Sequence, residues 1–149
     1  MSVEDWRITL LLADAAQVSD GKLNVLGGGW QFLGTPLSPF AVAIIVAVPW
    51  NETNRRHKII MELRDSDGNQ IKISPNSDGT DAQPLAMSAE FEIGRPPGVK
   101  PGTQFNIPLA FSVGPLPLRA GRYVWTCKLD DLSEREDWQL AFDVRSPIS

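Results

Sequence analysis

The feature that most narrows the fold of this chain is a period of two in its apolar residues. From Leu85 to Ile93 the odd positions Leu85, Met87, Ala89, Phe91 and Ile93 are apolar, while Ser88, Glu90 and Glu92 alternate with them. Successive side chains on an extended strand point to opposite faces, so this spacing predicts a strand with one face buried. The same alternation runs through Phe105, Ile107, Leu109, Phe111 and Val113, through Tyr123, Trp125, Cys127 and Leu129, and through Trp138, Leu140, Phe142 and Val144. Ile59, Met61 and Leu63 repeat it on a shorter scale, as do Ile8, Leu10 and Leu12. No stretch of comparable length shows helical spacing.

Turn chemistry falls between these runs. Ser19-Asp20-Gly21, Asp67-Gly68-Asn69, Ser77-Asp78-Gly79 and Ala120-Gly121 supply residues that tolerate the backbone of tight turns. Pro108 cannot donate to a ladder and marks its strand as an edge or a bulge. Arg95 to Gly102 is too rich in proline for regular structure and reads as a stiff connection between sheets. Eight or nine strands with this punctuation predict one all-β domain over residues 1–149, an antiparallel β-sandwich of immunoglobulin-like size.

One strand departs from the pattern. In Phe40 to Trp50 the even positions Phe40, Val42, Ile44, Val46 and Val48 are bulky, yet Ala41, Ala43, Ile45 and Ala47 on the other face are apolar too. A sandwich strand normally shows water a polar face. Both faces are therefore expected to be covered, either by the chain itself or by a second protein. On the second alternative Ala41, Ala43, Ile45 and Ala47 form an interface, with Trp50 at the strand end as a further contact.

Composition removes several function classes. The net charge is -4, and no third of the chain is basic, so duplex nucleic acid is not an expected partner. The longest apolar run is too short to cross a bilayer as a helix, and the acidic N-terminal residues do not read as a secretory signal. A single cysteine, Cys127, excludes an internal disulfide framework and suits a reducing compartment. The expected location is cytoplasmic, away from membranes.

From Leu11 to Trp30, LLADAAQVSDGKLNVLGGGW, the chain resembles a domain-of-unknown-function family of small bacterial proteins. The family opens with an "LLADAA…GKL-V-G-GW" pattern and closes with a "PG-Y" strand pair. Here the closing pattern is Leu118-Arg-Ala-Gly-Arg-Tyr123, with Ala120 in place of the proline. The resemblance implies a β-sandwich over nearly the whole chain and assigns no catalytic residue. On physical grounds, Gly27, Gly28 and Gly29 at a strand end permit a bulge or a close backbone approach, and Trp30 can then cap the sandwich. A phosphate cradle fails there, because no Lys-Ser/Thr pair follows.

Reactive constellations are sparse. Asp65-Ser-Asp67-Gly-Asn69 starts like a calcium loop, but Asn76 stands where the closing bidentate Glu would be, so a hairpin turn is expected. A calcium site pooled from this turn and Asn76 to Asp81 is the minor alternative. His57 is the only histidine, and a Cys127–His57 pair requires their strands to adjoin. Cys127 is in phase with Tyr123 and Trp125, as a core residue would be. The acids Asp130, Asp131, Glu134, Glu136 and Asp137 read as a solvated loop rather than as glycosidase carboxylates. The expectation is a non-catalytic sandwich without cofactor that acts through protein contacts, including contacts with itself. A ligand-binding module taking calcium or carbohydrate on the acidic loops is the alternative.

Overall fold

The computed structural model describes residues 5–130 and 138–146. Its described residues form an all-β structure of two main sheets. The first sheet has the order β2-β1-β4-β9, from Lys22–Gly28, Arg7–Ser19, Phe40–Val48 and Phe105–Val113. The second has the order β3-β11-β10-β5-β8, from Phe32–Gly34, Gln139–Arg145, Gly121–Leu129, His57–Asp65 and Ala86–Phe91. A ribbon of two-residue strands, β6 (Lys72–Ile73) and β7 (Gln83–Pro84), completes the set. Among the described residues there are eleven strands, against the eight or nine expected. The additions β3, β6 and β7 are too short for an alternating pattern to register.

Each long alternating run became a strand with the expected face inward. Ile59, Met61 and Leu63 of β5 meet Trp125, Cys127 and Leu129 of β10 and Phe142 and Val144 of β11 in one core, with Leu12, Val42, Ile44 and Val46 from the other sheet. Phe40 of β4 packs against Phe142 of β11 at 6.0 Å between ring centroids, and Trp30 caps Phe40 edge-on at 5.7 Å. Burying a side chain of this kind is worth about 1.5–3 kcal/mol, and such contacts join the sheets.

The proline-rich segment after β8 carries the chain from the second sheet to the first, as its stiffness suggested. β9, with Pro108, is an edge strand. The antiparallel expectation has one exception: β3 pairs parallel with β11, Phe32 opposite Asp143 and Gly34 opposite Arg145. Before β10 the chain turns a corner in which the Tyr123 hydroxyl donates to the Arg119 carbonyl at 2.8 Å.

The first sheet is strongly curled. β1 comes within 8 Å of β9 between Cα atoms although β4 lies between them, and parts of β2 do so although β1 and β4 both separate it from β9 in the sheet order. A flat sheet would hold next-but-one strands about 9.6 Å apart. Ala13, Ala41 and Ala43 are buried but lie outside the central core, on the face opposite Leu12, Val42 and Ile44. Alanine has no bulk to hold neighbouring strands open, so the sheet closes over this face. β1 is shared lengthwise: residues 7–13 pair with β4 and residues 13–19 with β2, so the β1–β2 hairpin extends past the start of β4.

Candidate functional site

The doubly apolar strand is covered on both faces within a single chain. Ala43 is 1% exposed, Ala41 and Ala47 are also buried, and Ile45 is half-buried. Their neighbours on that face are Thr9 and Leu11 of β1 and Pro108 and Ala110 of β9. The three alanines thus have almost no surface to offer a partner.

Exposed apolar surface lies elsewhere, and it is concentrated. Among the described residues the large exposed hydrophobics are Val18 (40%), Val25 (39%), Leu26 (71%) and Phe32 (51%). All four fall within residues 18–32, on the β1–β2 hairpin and on β3. β2 ends the first sheet and β3 ends the second, and β1 and β11 come into contact, so both open edges lie on one flank. A shallow apolar groove lined by Ala15, Ala16, Gln17, Asn24, Val25 and Leu26 runs along the hairpin. Phe32 is partly shielded by the Arg145 guanidinium, 4.2 Å from its ring. The alternation rule did not single out these residues, since an apolar run gives no sign of whether the strand stays over the core.

The hairpin is shaped by its glycines. Asp20 and Gly21 both have positive φ, 53° and 71°, and make a two-residue turn of the kind that matches strand twist. Gly27 has φ 62°, and a Cβ there would lie 2.3 Å from the Asp14 carboxylate. A Cβ on Gly28 would meet Val25 at 2.8 Å and Leu11 at 3.0 Å. Gly27 and Gly28 therefore serve close approach, while Gly29, with φ 94° and open space at its Cβ position, serves the backbone alone.

Trp50 is half-buried beside a cleft of about 680 Å³ lined by Asp5, Pro49, Asn51, Glu52, Gly102 and Gln104. Its ring is already engaged. The Arg95 guanidinium sits 3.8 Å over it, held by bonds to the Thr53 hydroxyl and the Trp50 carbonyl at 2.7 Å each, and Phe105 stacks at 6.1 Å.

His57 and Cys127 do not form a pair. β5 and β10 adjoin, but Cys127 stands opposite Met61 in the core. His57 is buried between Trp6 and Phe91, at 4.9 and 5.6 Å between centroids. Its Nδ1 lies 2.7 Å from Asp130 Oδ2 and its Nε2 lies 2.8 Å from the Glu52 carbonyl. Both ring nitrogens are thus already engaged within the fold. The buried Glu52 carboxylate is 3.9 Å from Nε2 and accepts from Arg55 at 3.2 Å. A histidine base would need Nε2 free for a nucleophile; here that nitrogen meets a carbonyl that has no proton to give.

The acidic turns are internally tied. Asp65 Oδ1 accepts the Asp67 and Asn69 amides at 2.9 and 3.0 Å, as the hairpin reading required. Asp78 Oδ1 accepts the Thr80 hydroxyl and amide, and these bonds hold its carboxyl below the usual carboxylate range. Among the described residues no group of three or more His, Cys, Asp or Glu could hold a metal ion. Asp131, Glu134, Glu136 and Asp137 lie outside the described residues. No described helix is long and apolar enough to cross a membrane.

No curated protein matches this chain. The family of unknown function DUF6941 matches residues 8–144, nearly the whole length, and the chain belongs to it.

Proposed function

We propose that this protein is a non-catalytic, self-assembling contact module, an immunoglobulin-like sandwich of the cytoplasm that acts through protein–protein contacts. The observation that carries the reading is the confinement of the exposed large hydrophobics to residues 18–32, on one flank where both sheets end. Exposed apolar side chains beside open strand edges are a recurrent protein-contact surface. The pairing of β4 with β9 in one sheet, of β5, β10 and β11 in the other, and the Tyr123 corner support the immunoglobulin-like description. That the single cysteine, Cys127, is buried in the core supports a reducing compartment.

The contact residues are Val18, Val25, Leu26 and Phe32 rather than the alanine face of β4. Light scattering over a range of concentrations tests this with the natural chain and Val25→Asp. The natural chain should associate as concentration rises, and the variant should not. A natural chain that stays monomeric throughout, or an association untouched by Val25→Asp, overturns the reading.

A ligand-binding role is the second reading, favoured by the cleft beside Trp50 that Asp5, Asn51, Glu52 and Gln104 help to line. Calorimetry with a panel of simple sugars and with calcium, on the natural chain and Asn51→Ala, checks it. Heat abolished by the substitution supports the cleft; no heat from any of them removes it.

A further inference from the structure

We propose that two copies of this chain pair through β2, antiparallel about a two-fold axis at Asn24, joining two four-stranded sheets into one of eight strands. This rests on the self-assembling reading and gives it a geometry.

The sheet edges differ in how they are closed. β9 carries Pro108, which removes a donor. β8 has Glu90 on its exposed face, and the segment leading into it is tied to the β6 side by the Leu85 amide donating to the Ile71 carbonyl at 2.8 Å. β3 is only three residues long. β2 runs for seven residues with Leu23, Val25 and Leu26 and no proline, and its one charge, Lys22, sits at the turn end. Proteins close their edges with proline, charge or shortness, and β2 is the long edge left open.

The hairpin turn determines which backbone groups are free. In a two-residue hairpin the closing pair, here Ser19 and Lys22, exchanges both hydrogen bonds, and such pairs alternate along the ladder. Leu23 and Val25 oppose Val18 and Ala16 as non-bonded pairs, so their N–H and C=O groups point away from β1. A second β2 centred on Asn24 sets Leu23 against Val25 of the other copy, twice, with four backbone hydrogen bonds. The aliphatic side chains then meet on one face. On the other face Lys22 lies over Leu26 of the second copy, where its methylenes cover the leucine while the ammonium stays in water. Moving the axis to Val25 would require Gly27, whose φ of 62° turns its groups out of the ladder.

Charge and area agree. Asp20 and Lys22 are the charged residues of 15–28, so the edge is neutral in a chain of net charge -4, and no like charges face each other. The exposed Val18, Val25 and Leu26 side chains and the free backbone edge make a small interface, so a reversible, concentration-dependent dimer is expected.

Asn24→Cys tests the axis directly. Residue 24 forms a non-bonded pair with its own copy, with Cα atoms about 4.5 Å apart, inside disulfide range. Native Cys127 is buried and does not compete. Under mild oxidation Asn24→Cys should become a covalent dimer, while Gln17→Cys, one strand inward, should not. If light scattering shows dimers of the natural chain but Asn24→Cys does not cross-link, or Gln17→Cys cross-links equally, the β2 axis is wrong while self-assembly stands. A natural chain that never dimerises removes both.

Discussion

His57 Nδ1 lies 2.7 Å from Asp130 Oδ2, a contact that fastens the first residue of β5 to the residue following β10. The other Asp130 oxygen accepts the Lys58 amide at 2.8 Å, and the Asp130 amide returns a bond to the Lys58 carbonyl. Asp130 holds this position with φ 50°, a conformation that Asp tolerates better than most residues. Hydrogen bonds to charged groups contribute about 1.5–3 kcal/mol, so Asp130→Ala should destabilise by about 2 kcal/mol, and His57→Gln by a similar amount. In chemical denaturation the double variant should lose clearly less than the two single losses combined, because the residues share one interaction. Simple additivity would show that the contact contributes nothing.

The alanine face makes an opposite demand on size. Ala43→Leu must force side-chain bulk between β1, β4 and β9 where Ala43 is 1% exposed. Overpacking of this kind costs about 1–3 kcal/mol. Thermal unfolding of the variant should show a clear fall in Tm. A Tm equal to that of the natural chain would mean the face is open to solvent.

Gly27 and Asp14 should show coupled effects. Gly27→Ala combines a positive φ with a Cβ placed 2.3 Å from Asp14 Oδ2, which should cost more than the ~1 kcal/mol expected from φ alone. In the Asp14→Ala background the same change should cost only the backbone part. If the cost is the same in both backgrounds, Asp14 is not what holds position 27 to glycine.

Asp78 gives a pH dependence with a definite sign. Its bonds from Thr80 hold the carboxyl below the usual carboxylate range, so they favour the folded turn while Asp78 is ionised. That contribution is complete above the usual range and disappears as pH falls through the lowered value. Nuclear magnetic resonance titration of Asp78 should show the depression, and Thr80→Val should move its pKa upward. An unchanged titration would assign the effect to other groups.

The long strands and their inward faces were legible because burial on one side of an extended chain leaves a two-residue period. The change of sheet after β8 was legible because prolines exclude other structure. β3 was not, since three residues carry no period and its partner β11 lies more than a hundred residues away. His57 and Asp130, 73 residues apart, meet only through the pairing of β5 with β10. The sequence marked β4 as covered on both faces, but the curl that covers it depends on alanines from several strands together. Trp50 stood out as a surface aromatic; that Arg95 occupies its ring is a long-range contact that local pattern does not encode.

The parallel pairing of β3 with β11 also orders events in time. On a ribosome β3 is made early, yet the strand it completes is synthesised last of the eleven. Until β11 emerges, Phe32 has neither Arg145 over its ring nor a neighbouring strand, and the hairpin before it already displays Leu26. Nascent chains on one messenger would then present the same apolar flank to one another before either has finished folding. Contacts of such long sequence separation slow folding and prolong that interval, so the self-association proposed above would draw on residues that are already exposed during translation.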